Sequence, residues 1–172
     1  MHVLEDMDIP QEAHHSQRMS YQDGSQRLVH WSEREIPYPD GRLIVSRTDL
    51  AGVITHANAA FVELSGYSRE ELIGAPHHIL RHPDMPKVAF KGLWDTLLAG
   101  EKWHGYVKNL RKDGAHYWVY ATAIPNIRGG QVVGYTSVRR KPSRKRIEEL
   151  IPLYRQWLEE EQATASNGGN DA

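Results

Sequence analysis

Between Leu43 and Leu158 the period of the apolar positions changes three times, and each change reads as a boundary between elements. Leu43–Thr48 and Val53–His56 are short runs rich in β-branched residues around the turn Asp49-Leu50-Ala51-Gly52, which predicts a hairpin. Asn58 then stands where its side-chain oxygen can cap a helix over Ala59–Leu64, with Gly66 to end it. Ser68 and Glu71 have the spacing of a capping box, and Gly74 closes that second short helix. Pro76–Leu80 reads as a turn or short helix. Asp84 and Pro86 are start signals for a longer helix running to Ala99, with Met85, Ala89, Phe90, Leu93, Trp94, Leu97 and Leu98 on one broad apolar face and Gly100 as its stop.

The period then falls back to two. Trp103–Arg111, His116–Pro125 and Gln131–Arg140 read as three longer strands. Lys112-Asp113-Gly114 and Arg128-Gly129-Gly130 are the turns between them, Asp-Gly being a strong hairpin signal. From Ser143 the helical period returns, with Ile147, Leu150, Ile151, Tyr154, Trp157 and Leu158 in one stripe. The expected architecture is α+β: a five-stranded antiparallel sheet with short helices on one face and a C-terminal amphipathic helix. Residues 1–40 lack periodicity and read as a flexible N-terminal arm, with room for a short helix around 10–22. The folded unit is expected over 41–141, the amphipathic helix over 142–162, and a disordered tail over 163–172.

Composition narrows the function. The formal net charge of -1 gives no global field for nucleic acid. The six basic residues within 139–147 read as a solvated linker after the last strand. No cysteine is present, which excludes disulfides, thiolate metal sites and flavin–cysteine photochemistry, and agrees with a cytoplasmic chain. No run approaches the roughly 18 apolar residues needed to span a bilayer. His77, His78 and His82 raise a haem reading, but their spacing is not that of a metal motif. There is no nucleophile–base pair and no glycine-rich phosphate loop, so an enzyme is not expected.

Five segments in order carry a resemblance: Thr55-His56-Ala57-Asn58, Ser65-Gly66-Tyr67, Arg81-His82-Pro83-Asp84-Met85-Pro86, Val107-Lys108-Asn109 and His116-Tyr117-Trp118-Val119. Over about residues 45–157 the chain resembles the FAD-binding PAS domain of bacterial aerotaxis receptors. The resemblance implies a PAS fold with FAD between the short helices and the inner sheet face. It implies cofactor-binding roles for Asn58, Arg81, His82, Asp84, Phe90 and Asn109. Arg81 suits the pyrophosphate, because a guanidinium fork matches phosphate oxygens. The two asparagines suit the donor–acceptor edge of a flavin. Asn58 and Asp84 have a second reading as plain helix caps. Trp94 and Trp103 are further candidates for the pocket wall; Trp118 and Tyr120 share one face of their strand, which can be turned to the core or to the tail helix.

The implied function is a redox or oxygen-related sensor in signal transduction. Those receptors continue into a membrane anchor and a coiled-coil signalling domain, while this chain stops at Ala172. Output then passes to a partner protein such as a receptor or kinase, through self-association, or through further chain. The tail helix can fold back on the sheet, pair in a homodimer through sheet or helix, or dock on a partner. The rivals are a haem-binding gas sensor of the same fold, a cofactor-free interaction adaptor and a small flavoenzyme.

Overall fold

The computed structural model describes residues 7–168. Five strands form one antiparallel sheet: β3 (Ile44–Thr48), β4 (Ile54–Ala57), β5 (Trp103–Leu110), β6 (His116–Arg128) and β7 (Gln131–Arg140), in the order β4-β3-β7-β6-β5. Between β4 and β5 come α1 (Ala59–Ser65), α2 (Arg69–Leu72), a 3-10 turn over His77–Leu80 and α3 (Lys87–Leu98). A last helix, α4 (Arg144–Gly168), follows β7. This is the α+β architecture expected from the sequence, with strand bounds that differ from the predicted ones by a few residues at most.

Local chemistry sets the helix ends. The Asn58 oxygen accepts from the Phe61 amide and Gly66 ends α1 at φ 77°, a left-handed conformation that glycine adopts without penalty. Ser68 and Glu71 form the complete capping box at α2. α3 is different. Its N-cap is Pro86, which offers no side-chain acceptor. The amides of Lys87 and Val88 donate instead to the Glu161 carboxylate of α4, at 3.0 and 2.9 Å. Asp84, read as a possible cap, pairs with Lys108 at 2.9 Å.

The sheet has two covered faces. Tyr117, Val119 and Ala121 of β6 pack inward with Phe61, Leu64, Tyr67, Leu72, Ile79 and Leu80. Trp118, on the opposite face by the period-two rule, packs with Ile147, Leu150 and Tyr154 of α4 and with Met85. The Tyr154 hydroxyl also donates to the Tyr106 carbonyl at 2.8 Å. Of the three dispositions open to the tail helix, the structure has it folded back on the sheet.

Three expectations need correction. Residues 7–40 do not form a featureless arm, and 10–22 is not helical: β1 (His14–Ser20) and β2 (Gln26–Ser32) make an antiparallel hairpin; residues 1–6 lie outside the described residues. Met7, Met19, Tyr21 and Val29 bury with Leu110, and backbone bonds from Asp8, Ser32 and Ile36 tie the segment to Lys112, Gly114 and His116. Apolar anchors and buried amides are what a disordered segment lacks. The tail expected to be disordered from 163 continues α4 to Gly168, with Thr164 and Ser166 hydroxyls bonded back to Glu160 and Gln162; 169–172 lie outside the described residues. Finally, Arg139 is no part of a solvated linker. It points inward from β7 and is 2 % exposed.

Glu161→Ala should strip two amides of α3 of their acceptor and destabilise the chain by about 1 kcal/mol, the usual worth of a cap. Urea unfolding would measure the loss, and amide exchange should show it concentrated at Lys87 and Val88.

Candidate functional site

Three buried polar groups lie behind the short helices. The first is centred on Arg139. Its Nη2 donates to Ser46 Oγ at 2.5 Å and its Nη1 lies 3.1 Å from His77 Nε2. Its Cζ stands 4.6 Å from the centroid of the Phe61 ring, and its Nε has no partner. No carboxylate contributes to its electrostatics, only Tyr117 and Tyr38. Burial pulls its pKa down to about 10. The facing His77 is held at about 3, by burial first and then by Arg139 and His78. Desolvating a cation without a countercharge is costly, so this pair is an electropositive spot on the inner face.

The second group follows the 3-10 turn. His82 is fully buried. Its Nδ1 accepts from the Asp84 amide at 3.0 Å, which leaves the proton on Nε2, and Nε2 has no acceptor. The His116 ring meets it edge-on at 5.9 Å, and the Trp31 ring of the hairpin at 6.1 Å. Burial, with Lys108, sets His82 at about 3 and also lowers His116. Burial raises Asp84, but His82 and Lys108 outweigh it and hold its carboxyl below the usual range. Arg81 is bridged by backbone to Asn109, and its Cζ stands 4.9 Å from the Phe90 centroid. Asn109 itself is 5 % exposed on the inner face of β5, opposite Tyr117, whose hydroxyl burial pushes to about 12.

The third group joins the hairpin to the 3-10 turn. The Tyr21 ring stacks on His78 at 3.8 Å, and His78 Nε2 lies 2.9 Å from Asp23 Oδ2. Arg27 donates to the Ile79 carbonyl and to the Tyr67 hydroxyl.

The structure therefore brings Arg81, His82, Asp84 and Asn109 into one neighbourhood; Phe90 meets Arg81 but packs in the cluster of Met85, Trp118 and Tyr154 beneath α4. Trp94 and Trp103 belong to another. Both pack against the cluster of Leu97, Ala123 and Tyr135, and Trp94 meets Tyr135 edge-on at 5.4 Å. Trp103 lies along the inner face because Gly105 leaves room: a Cβ there would stand 2.3 Å from the indole. A cleft of about 400 Å³ opens beside Trp94, between Gln22, the β3–β4 turn and α3. A larger one of about 620 Å³, around Arg47, His56 and Asn126, touches none of these groups. Asn58 stands apart. Its oxygen accepts from the Val45 and Phe61 amides and its nitrogen donates to the Leu43 carbonyl, so the amide is spent on the backbone.

Sequence reading placed Arg139 in a solvated linker, weighed His77 only as a haem ligand and did not single out Ser46. The signal was present in the alternation Tyr135, Ser137, Arg139, which puts an arginine on the face shared with Tyr135, but the neighbouring basic residues masked it. Among the described residues no group of three or more His, Asp or Glu is placed to hold a metal ion.

Comparison with known proteins can now be read against this geometry. A family model described as the PAS fold matches residues 54–139, half of the chain. The chain belongs to the PAS-fold family. It is 48 % identical over 124 residues to the aerotaxis receptor of Escherichia coli K12, covering 72 % of this chain and 24 % of the receptor. It is 31 % identical over 97 residues to the nitrogen fixation regulatory protein of Klebsiella pneumoniae, covering 56 % and 20 %. The chain thus spans a quarter or less of the curated relatives it matches. Among solved structures, a light-oxygen-voltage domain studied with a flavin analogue matches at TM-score 0.56 and 26 % identity, over 64 % of this chain and 83 % of that one. The blue-light photoreceptor aureochrome 1 LOV in its light state matches at TM-score 0.58 and 23 % identity, over 63 % and 88 %, a likeness of fold. Over this span the chain is a PAS domain similar in sequence to that of the aerotaxis receptor. No described helix is long and apolar enough to cross a membrane.

The three lowered histidines make stability depend on pH in a definite direction. Each is neutral when folded and titrates from the usual 6.5 when unfolded, so the unfolded chain binds the extra protons. Stability of the ligand-free protein should be full above about pH 6.5 and fall below it, down toward 3 for His77 and His82, by up to about 1.4 kcal/mol per unit for each such group. Urea midpoints at pH 7.5 and 5 would measure the slope, and His77→Gln should flatten it.

Proposed function

We propose that this PAS domain binds FAD between its inner sheet face and the helices β4 leads into, and reports the redox state of the flavin to a signalling partner. The observation that carries the reading is Arg139, buried on the inner face with only a neutral histidine and a serine to answer it. A buried cation of this kind is costly in the empty protein and is stabilised by an electron-rich partner. A flavin's carbonyl edge is such a partner, and it gains negative charge on reduction. The unsatisfied Nε2 of His82 and Nε of Arg81 add two further donors. The likeness to the aerotaxis receptor and to flavin-related light-oxygen-voltage domains supports the same cofactor.

When bound, the flavin supplies reversible electron uptake; the chain does the rest. Arg139 and His77 hold the electron-rich edge and set how readily negative charge is accepted. Asn109 offers a donor and an acceptor from the middle of β5. Arg81 suits the phosphates, and Phe90 and Trp94 are candidates for the apolar wall. Trp103 is a wall candidate from β5. Asp84 holds the loop through Lys108 and the His82 ring, and Asn58 fixes β3 against α1 rather than reaching a ligand. His77 can take up or release a proton at Nε2 as the charge beside Arg139 changes. Such a change bears on β7 and β6, and β6 carries Trp118 on its other face, under α4. The output surface in this reading is α4, offered to a receptor, a kinase or a second copy of the chain, in the cytoplasm.

The visible spectrum of the purified protein tests the cofactor. Two broad flavin bands support the reading; a Soret band would replace it with a haem sensor, and no absorbance with an adaptor. Chromatography of the released cofactor separates FAD from FMN. Arg139→Met should lower flavin affinity by roughly ten-fold or more, since a bond to a charged group is worth about 1.5–3 kcal/mol. The same change should leave the ligand-free protein as stable or more so, because an apolar replacement removes a buried charge.

A further inference from the structure

The β1–β2 hairpin has its own polar face, and that face meets the turn that carries Arg81. Tyr21 stands at the end of β1, 6 % exposed. Its ring lies flat on His78 at 3.8 Å with only 6° between the planes. Its hydroxyl is buried without a hydrogen-bond partner. Both Arg27 and Arg81 bring positive charge to it. His78 Nδ1 is likewise buried and unpartnered, while Asp23 holds the opposite nitrogen at 2.9 Å. Arg81 Nε is the third buried polar atom without a partner in this neighbourhood. Tyr21 and Arg81 act on one another electrostatically, and the Arg81 amide donates to the His78 carbonyl.

Leaving three polar atoms unsatisfied in one place costs on the order of 1–3 kcal/mol each. Nearby polar groups with better geometry were available to the fold: the same hairpin satisfies Arg27 with the Ile79 carbonyl and the Tyr67 hydroxyl. The unsatisfied set is therefore specific. It has two donors, Tyr21 O–H and Arg81 Nε–H, beside a histidine nitrogen and two guanidinium groups. That is the chemistry of a site for a phosphoryl oxygen. Gln22, the residue after Tyr21, lines the cleft that opens beside Trp94 and Lys91, so the hairpin also borders a route to solvent.

We propose that the hairpin is part of the cofactor site, and that Tyr21 joins Arg81 as a subsite for the phosphate-bearing tail of the flavin, with the His78 ring as the platform that holds Tyr21 in place. The proposal rests on the flavin reading and deepens it: it explains how a chain of this type would select a dinucleotide over the bare ring system. Asp23 acts as a positioning residue, holding the His78 ring flat against Tyr21 through its Nε2. The hairpin is held over this subsite from both sides, by Arg27 on the 3-10 turn and by Trp31 against His82.

The test uses the full chain stripped of ligand and titrated separately with FAD, FMN and riboflavin. Tyr21→Phe keeps the stack on His78 and removes one oxygen. FAD affinity should fall by about ten-fold, the worth of one bond to a phosphate, with riboflavin affinity unchanged. The ligand-free variant should melt no lower than the wild type, because an unsatisfied hydroxyl has gone. Unchanged FAD affinity in Tyr21→Phe overturns the proposal, and so does a parallel loss of FAD and riboflavin binding with a lower melting temperature, which is the mark of a packing role. A wild-type chain that takes up none of the three overturns the flavin reading as well.

Discussion

Along His116–Arg128 successive side chains must point to opposite faces of the sheet, and the molecule is arranged around that constraint. β6 is bonded on both sides, to β5 and to β7, so it cannot slip register without disrupting two ladders. Its inward set, Tyr117, Val119, Ala121 and Ala123, is the floor under α1, the 3-10 turn and α3. Its outward Trp118 is the seat of α4. One strand thus touches both the polar groups of the interior and the helix on the exterior, separated by a single backbone thickness.

The interior is built against the ordinary rule that buried charges are paired. Arg139 is answered by a histidine that burial keeps neutral, and His82 keeps a proton on a nitrogen with no acceptor. Around them the chain satisfies its polar groups closely. Arg111 binds the carbonyls of Glu63 and Leu64 and the carboxylate of Asp113, and Tyr38 donates to both the Arg42 and the Arg139 carbonyls. Among the described residues such exceptions call for an explanation, and the proposed flavin site supplies one.

Much of this was legible in the residues, for reasons that can be named. The capping box at Ser68 and the glycine stops are local devices, and local devices are readable from sequence. The Arg81–Asp84 segment and Asn109 were singled out because their motifs occur in the right order, and the structure joins Arg81 to Asn109 by a backbone bridge. The hairpin was missed because its inward positions do not look inward: Arg27 is buried while Leu28 beside it is exposed, which breaks the binary pattern that reveals a strand. Arg139 was missed for the opposite reason, being a buried charge beside five solvated ones. Asn58 offered a ligand reading and a capping reading, and its amide is used on Leu43, Val45 and Phe61.

The cap that α4 lends to α3 has a consequence for regulation. Glu161 is bonded to the first amides of the helix that carries Phe90, and it also acts on Arg81. Docking of α4 and order in that first turn are therefore two readings of one equilibrium. Linkage makes the relation symmetrical: a partner that draws α4 off the sheet weakens whatever α3 and Arg81 hold, and a molecule that fixes α3 and Arg81 tightens α4 by the same factor. A carboxylate 74 residues away from the amide it caps is thus the place where occupancy inside and association outside exchange free energy.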